Sequence, residues 1–145
     1  WIRLVGSEMC IRDSYQADCI LLILSILSDA QAIEFINYAN ELKLDCIIEV
    51  HDEDELKRAI KLDYPVIGIN NRNLKSLEIN LNNSINLNQN LTNDYILIAE
   101  SGIKTSDDIK KFNSTGIYNF LIGESLLKSK DKEKKIGELL LNESY

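Results

Sequence analysis

Five short apolar runs recur along the chain, and each is followed by a polar stretch with apolar residues at helical spacing. The runs occupy residues 19–24, 46–50, 66–69, 95–99 and 119–122. Parallel strands that are buried on both faces are apolar along their length in this way. The starts lie roughly 25 to 30 residues apart, which is the period of strand–helix–strand units. Because such crossovers are right-handed, the pattern predicts parallel strands.

Helix-start signals stand between these runs. Ser28 and Asp52 are predicted N-caps, with Gln31 and Glu55 three residues later in capping-box spacing. Further helices are predicted around residues 81–87, over 107–113 with Thr105 or Ser106 as the cap, from near 124, and over 131–141. The predicted inward-facing residues of the first two helices are Ile33, Phe35, Ile36, Ala39 and Leu42, then Leu56, Ala59, Ile60 and Leu62.

Polar residues stand where the apolar strands end, and they carry the functional signal. Glu49, Asn70 and Glu100 each follow an apolar run, and Gly123 precedes Glu124 at the end of the last one. A carboxylate at such a position costs desolvation without an evident gain in stability. In (β/α) barrels, the C-terminal strand ends build the active site. An open doubly wound sheet is the alternative, but the chain has no glycine-rich dinucleotide fingerprint and no phosphate-binding loop motif.

Composition and charge exclude several classes of function for this chain. The 145 residues are 45% hydrophobic and carry a net charge of −7, with acids and bases interspersed. A nucleic-acid surface needs a basic stripe, so none is expected, and no apolar run has the length of a membrane helix. The single histidine excludes a histidine-rich metal site. Cys19 and Cys46 lie on apolar runs and are predicted to be buried thiols, which fits a reducing cytoplasm.

Residues 1–14 look foreign to the rest. They read WIRLVGSEMCIRDS, show neither helical nor strand periodicity, and resemble a translated sequencing adapter. We therefore expect a non-native N-terminal segment at 1–14, followed by barrel sequence over 15–145.

Five segments together resemble indole-3-glycerol phosphate synthase, an enzyme family of tryptophan biosynthesis. They read ADCILLI at 17–23, IEVH at 48–51, GINNRNL at 68–74, AESGI at 99–103 and FLIGESL at 120–126. Each is weak alone, but five in the right order at strand ends are specific. The resemblance implies an α/β fold, namely strands four to eight of an eight-unit TIM barrel.

The resemblance also implies a reaction. The family converts 1-(2-carboxyphenylamino)-1-deoxyribulose 5-phosphate to indole-3-glycerol phosphate, releasing CO2 and water, and needs no metal or organic cofactor. Ring closure needs a general acid at the ribulose carbonyl, and dehydration needs a base and an acid. The implied catalytic residues are Glu49 as general base, Glu100 as a second carboxylate and Asn70 as an orienting amide.

Substrate contacts are implied at further positions. Arg72 suits the anthranilate carboxylate, because its guanidinium is a fork that matches a carboxylate. Backbone N–H groups at Gly102, Gly123 and Glu124 are expected to bind the phosphate, with the Glu124 side chain pointing away. The remaining substrate-binding residues implied by the resemblance are Ser101, Leu21, Leu74 and Leu121. We predict His51 to be a loop or helix-capping residue rather than a catalyst.

Some catalytic residues of the family are expected to lie outside this chain. Strands one to three of the barrel carry a glutamate, a substrate-orienting lysine and the lysine general acid, and no lysine here stands at a matching strand end. We therefore expect this chain alone to be inactive, and its partner to be the missing N-terminal half of the barrel. Two alternatives are another phosphate-binding barrel enzyme and a non-catalytic half-barrel that binds a phosphometabolite or a partner subunit.

Overall fold

A sheet of five parallel strands forms the centre of the chain. The computed structural model describes residues 17–91 and 94–140, so the predicted foreign segment at 1–14 lies outside the described residues. The strands are β1 (Cys19–Ile23), β2 (Asp45–Val50), β3 (Val66–Asn70), β4 (Ile96–Glu100) and β5 (Asn119–Leu121). All five agree with the predicted apolar runs to within one or two residues.

Helices follow the strands in the predicted order. They are α1 (Asp29–Glu41), α2 (Glu53–Lys61), α3 (Asn82–Asn88), α4 (Ser106–Asn113), α5 (Glu124–Leu127) and α6 (Lys132–Leu140). The predicted caps are confirmed: Ser28 forms a capping box with Gln31, and Asp52 accepts from the Glu55 N–H. Thr105 rather than Ser106 caps α4, in a capping box with Asp108.

Strand order separates the two architectures that the sequence leaves open. Every strand pairs in parallel with the next one in sequence, in the order β1-β2-β3-β4-β5. A doubly wound sheet reverses its strand order at a switch point, whereas a barrel always advances in one direction. The described residues therefore form part of a (β/α) barrel.

The two faces of the sheet are differently covered. Side chains that alternate along one face are buried beneath the helices, among them Leu22, Ile48 and Ile69. We call the opposite side, formed by residues 21, 23, 47, 49, 68, 70, 96, 98, 100 and 121, the inner face. Ile96 and Leu121 on this face are 53% and 49% exposed. The uncovered inner face is the side that a complete barrel encloses.

Three burial predictions are wrong. Ile33 and Ile60, predicted to face inward, are 51% and 36% exposed, because each lies just beside the apolar stripe that contacts the sheet. Cys19, predicted to be buried, is exposed because it starts a strand at the edge of the described sheet. Cys46 on the neighbouring strand is fully buried as predicted.

No helix of the described residues has both the length and the apolar character required to cross a bilayer.

Candidate active site

Glu49, Asn70 and Glu100 come together at the C-terminal ends of β2, β3 and β4. All three lie on the inner face, and strand register places Asn70 opposite Glu100. The two carboxyl groups are each only 3% exposed. Side chains from three successive strands therefore form one polar cluster in an otherwise apolar layer.

Hydrogen bonds tie the cluster together. The Asn70 side-chain amide donates to Glu49 Oε1 over 3.1 Å, and the carboxyl group of Glu100 interacts electrostatically with that of Glu49. The Asn70 side-chain oxygen accepts from the Arg72 N–H at 2.9 Å. The His51 ring lies on the other side of Glu49, with Nε2 3.0 Å from Oε1. The Glu49 carboxylate is thus held from both sides.

The two carboxyl groups have opposite pKa shifts. Burial and the neighbouring Glu49 charge raise the pKa of Glu100 to about 8. Burial also acts on Glu49, but the adjacent His51 ring and the hydrogen bond from Asn70 outweigh it and lower the pKa of Glu49. Two acids in contact cannot both ionise easily, so the proton stays on one of them. Near neutral pH, Glu49 is the charged carboxylate and Glu100 is the acid.

Gly68 makes room for Glu100. It lies on the inner face between Glu49 and Ile98. A Cβ atom at position 68 would collide with Glu100 Oε1 and lie 2.9 Å from Ile47 Cγ2. The Glu100 carboxyl group therefore occupies space that only a glycine at position 68 leaves open.

A cavity of about 390 Å³ adjoins Glu100 on the β5 side. Its lining includes Ser101, Gly102, Leu121, Gly123 and Glu124. Ser101 and Gly102 both have left-handed backbones, with φ of 64° and 86°. A Cβ atom on Gly102 would also collide with Ile79 Cγ2, so both backbone and packing require glycine there.

A second cavity of about 520 Å³ lies over the ends of β2 and β3. It is lined by Ser25, His51, Asn70, Arg72 and Leu74, with further residues of the 71–83 loop. Arg72 borders both cavities.

The Arg72 side chain borders both cavities and contacts Glu124. Its Nη2 donates to Glu124 Oε2 over 2.7 Å, and Lys128 Nζ binds Oε1 of the same carboxylate at 2.6 Å. The expectation that the Glu124 side chain points away from the site is therefore wrong, because its carboxylate pairs with Arg72 and Lys128. A substrate carboxylate would have to compete with Glu124 for this guanidinium.

The three leucines expected around the substrate ring are spread over the rim. Leu74 lines the larger cavity and is 47% exposed, whereas Leu121 lines the smaller one. Leu21 is half-buried on the inner face of β1, beside Ile47, and belongs to neither lining. The described residues do not bring these leucines into one apolar pocket.

The Asn71 side chain links the C-terminal ends of β3 and β4. Its side-chain amide donates to the backbone oxygens of Glu100 and Ser101 at 3.0 and 3.2 Å. Its side-chain oxygen accepts from the Ser84 N–H and hydroxyl at 3.1 and 2.8 Å. Asn71 is 2% exposed, so it is a buried link between β3, β4 and α3.

The family model for indole-3-glycerol phosphate synthase matches residues 7–139. The chain belongs to the indole-3-glycerol phosphate synthase family. The predicted family is thereby confirmed, and so is the partial barrel fold.

Curated indole-3-glycerol phosphate synthases match at high identity. The one from Legionella pneumophila (strain Paris) is 46% identical over 136 residues, covering 88% of this chain and 53% of the relative. That from Delftia acidovorans is 41% identical over 123 residues, covering 85% of this chain and 46% of the relative. The chain therefore spans about half the length of the curated synthases it matches.

Solved structures of other barrel proteins share the fold at low identity. A thiamine phosphate pyrophosphorylase from Pyrococcus furiosus matches with a TM-score of 0.67 and 17% identity, covering 89% of this chain and 60% of that one. A mandelate oxidase with bound (S)-2-phenylpropionate has a TM-score of 0.65 and 10% identity, covering 96% of this chain and 51% of that one. At these identities the likeness shows the fold alone.

Three residues that shape or support the candidate site were not predicted as site residues. His51 contacts Glu49, Gly68 accommodates Glu100, and Asn71 links the strand ends. A glycine in the middle of an apolar strand is a signal of close approach that could have identified Gly68. The contacts of His51 and Asn71 depend on side-chain geometry that no local pattern encodes.

Proposed function

We propose that this chain forms the C-terminal part of an indole-3-glycerol phosphate synthase barrel and contributes part of its active site. The observation that carries the proposal is the cluster of Glu49, Asn70 and Glu100 on the inner face at the C-terminal strand ends. Barrel enzymes place their chemistry at that end. Membership of the synthase family then supplies the reaction class, a carbon–carbon lyase.

The paired carboxyl groups suit the acid–base demands of the reaction. Glu49, whose pKa is lowered, is ionised at neutral pH and acts as the base that takes a proton during dehydration. Glu100, whose pKa is raised to about 8, keeps its proton and donates a hydrogen bond to a developing charge. Asn70 orients Glu49 through the 3.1 Å hydrogen bond.

Arg72 and the leucines are assigned to the anthranilate end of the substrate. The Arg72 guanidinium binds the substrate carboxylate in place of Glu124, because a fork of N–H donors matches either carboxylate. Leu74 and Leu121 are exposed beside the two cavities and are available to pack on an aromatic ring, as is Leu21 once the barrel is closed. Ser101 lies between Glu100 and Gly102 in the sequence.

The smaller cavity is assigned to the substrate phosphate. Gly102 and Gly123 border it without side chains, so a phosphate can approach their backbone closely. The N–H groups of Gly123 and Glu124 open the short helix α5 at the β5 end. Isothermal titration with inorganic phosphate tests this assignment: millimolar or tighter binding supports it, and binding that Gly102→Val leaves unchanged contradicts it.

We infer that synthase activity requires a second segment that supplies the first three strands and their lysines. The open inner face and the strand edges at β1 and β5 support this inference, since a barrel closes only when both edges are paired. The chain by itself is therefore expected to be inactive. The free thiols of Cys19 and Cys46 also agree with a reducing, cytoplasmic location for the enzyme.

Growth complementation tests the proposed function. The test protein is a chimera in which residues 15–140 of this chain replace the matching segment of the Legionella pneumophila synthase. In a bacterium that lacks the synthase and requires tryptophan, the chimera is expected to restore growth without tryptophan, and this chain alone is not. A folded chimera that fails to restore growth would contradict the proposal.

A further inference from the structure

The His51 ring lies between two carboxylates. Its Nε2 is 3.0 Å from Glu49 Oε1, and its Nδ1 is 3.0 Å from Glu55 Oε2. The His51 side chain is 10% exposed, and those of Glu49 and Glu55 are 4% and 13% exposed. Nδ1 is hydrogen-bonded to Glu55, Nε2 forms a close ion-pair contact with Glu49, and an opposite charge on each side of the ring stabilises its protonated form. The geometry therefore favours the imidazolium form.

The backbone around His51 is also fixed. Glu55 Oε2 accepts from the His51 N–H at 2.8 Å, and the Asn83 side-chain amide donates to the His51 carbonyl at 3.0 Å. The same Asn83 amide donates to the Asn70 carbonyl at 3.1 Å. Contacts from α2 and α3 thus hold the backbone after β2 in place, and this fixes the position from which the ring reaches Glu49.

His51 and Asn70 act on the same oxygen of Glu49. Both contact Oε1, from opposite ends of the polar cluster. The titratable groups that face the ring are Glu49 from β2, Glu55 from α2 and, behind Glu49, Glu100 from β4. The elements β3 and α3 present the amides of Asn70 and Asn83. Three acids therefore surround one imidazole.

We propose, on the basis of the synthase function proposed above, that His51 is a positioning residue: as an imidazolium bridging Glu55 and Glu49, it fixes the Glu49 carboxylate beside Asn70. The positive ring also keeps Glu49 charged, so that the proton of the buried acid pair stays on Glu100. The Glu49 carboxylate beside the ring raises the pKa of His51 despite the opposing effect of burial, as this role requires. Glu55 extends the bridge to the helix.

Nuclear magnetic resonance of this chain tests the bridge without any need for activity. His51 is the only histidine in the sequence, so its ring signals need no assignment by mutation. The titration midpoint of the ring is expected above the ordinary histidine value of about 6.5. Glu49→Gln and Glu55→Gln should each lower it, by about one unit, because each removes an opposite charge within hydrogen-bond distance.

Glu53→Gln is the matched control, since Glu53 lies on the same helix and pairs with Lys57 instead. It should leave the midpoint unchanged. A midpoint at or below the ordinary value, or one that Glu49→Gln and Glu55→Gln do not move, overturns the bridge.

Kinetics of the chimera test the positioning role separately. His51→Phe removes the donor, whereas His51→Gln keeps an amide near the Nε2 position. The Phe variant is expected to shift the acid limb of the pH profile of kcat upward by about one unit, with little change in KM, and the Gln variant should partly restore it.

An unchanged acid limb in a His51→Phe chimera that folds by circular dichroism overturns the positioning role. If the chimera has no activity with His51 intact, the proposed function fails, while the NMR titration still decides whether the bridge exists.

Discussion

Glu49 and Glu100 lie at the same end of the sheet, yet their carboxyl groups are in different protonation states. Both are almost fully buried, and burial acts to raise the pKa of either group. Glu49 alone lies beside the His51 ring, 3.0 Å away, and accepts a hydrogen bond from Asn70, and both contacts offset its desolvation. Environment rather than residue type therefore decides which carboxyl group is charged and which keeps its proton.

Glu100→Gln is predicted to remove a loss of stability that occurs as pH rises from 4.5 to about 8. The folded-state pKa of Glu100 is raised from 4.5 to about 8, so the folded chain binds more protons than the unfolded chain between these values. Stability from this group is present below pH 4.5 and is lost as pH rises through about 8. The loss is of the order of 1.4 kcal/mol per pH unit. The amide cannot ionise and should abolish it.

Urea unfolding at several pH values between 5 and 9 measures this effect, and Glu133→Gln on α6 serves as an exposed control. The advantage of Glu100→Gln over the parent chain should grow with pH. Parallel pH dependences for the two chains would show that Glu100 is not protonated at neutral pH.

Gly68→Ala is predicted to destabilise the fold, whereas Gly123→Ala is not. The new methyl group at position 68 collides with Glu100 Oε1 and Ile47, but nothing lies within 4 Å of a Cβ atom at position 123. Overpacking at position 68 should cost about 1 to 3 kcal/mol in the free energy of unfolding. Chemical denaturation compares the two variants, and equal stabilities would contradict the close packing of Glu100 on Gly68.

At the scale of secondary structure, buried side-chain amides join the elements that carry the site. The Asn71 side chain binds the carbonyl of Glu100 at the end of β4 and the Ser84 N–H in the first turn of α3. The Asn83 side chain binds the carbonyls of His51, just after β2, and Asn70, at the end of β3. Such links set the positions of strand ends more strictly than apolar packing does, because hydrogen bonds are directional.

Asn71→Ala is predicted to destabilise the fold by about 2 to 4 kcal/mol, because it leaves the buried Ser84 N–H and hydroxyl without the oxygen they bind. Asn90→Ala, at an exposed position just beyond the end of α3, is the control and should have a small effect. Thermal unfolding distinguishes the two. A loss at Asn71 no larger than that at Asn90 would mean that the link carries no stability.

Local signals predicted the elements well, and long-range contacts set what they missed. Ser28 and Asp52 are caps whose partners lie three residues away, so sequence alone identifies them, whereas for α4 it leaves Thr105 and Ser106 as alternatives. The strand-end acids were predictable because a charge after an apolar run is itself unusual. Asn71 binds a carbonyl 29 residues away, and that contact exists only once the strands are in register.

At the scale of the whole molecule, residues 17–91 and 94–140 leave an apolar surface incompletely enclosed. Leu21, Ile96 and Leu121 lie on the inner face, and β1 and β5 form the edges of the described sheet. Open edges with apolar side chains favour association with other strands. A segment that adds the first three strands would pair both edges and cover this face.

The isolated chain is therefore predicted to bind the dye ANS and to associate at micromolar concentration. Addition of the N-terminal part of the Legionella pneumophila synthase should reduce both, since it covers the inner face. Dye fluorescence and analytical ultracentrifugation measure the change. A monomeric chain that binds no dye, or one whose behaviour the added part leaves unaltered, would contradict the open-barrel interpretation.

Steady-state kinetics of the chimera give the most direct test that the inner-face cluster is catalytic. Glu49→Gln should lower kcat by about 10² to 10⁴-fold, the usual contribution of a general base. Glu53→Gln, on the exposed side of α2, should leave kcat unchanged. If a folded Glu49→Gln chimera forms indole-3-glycerol phosphate at the parent rate, the cluster is not the acid–base machinery of this enzyme.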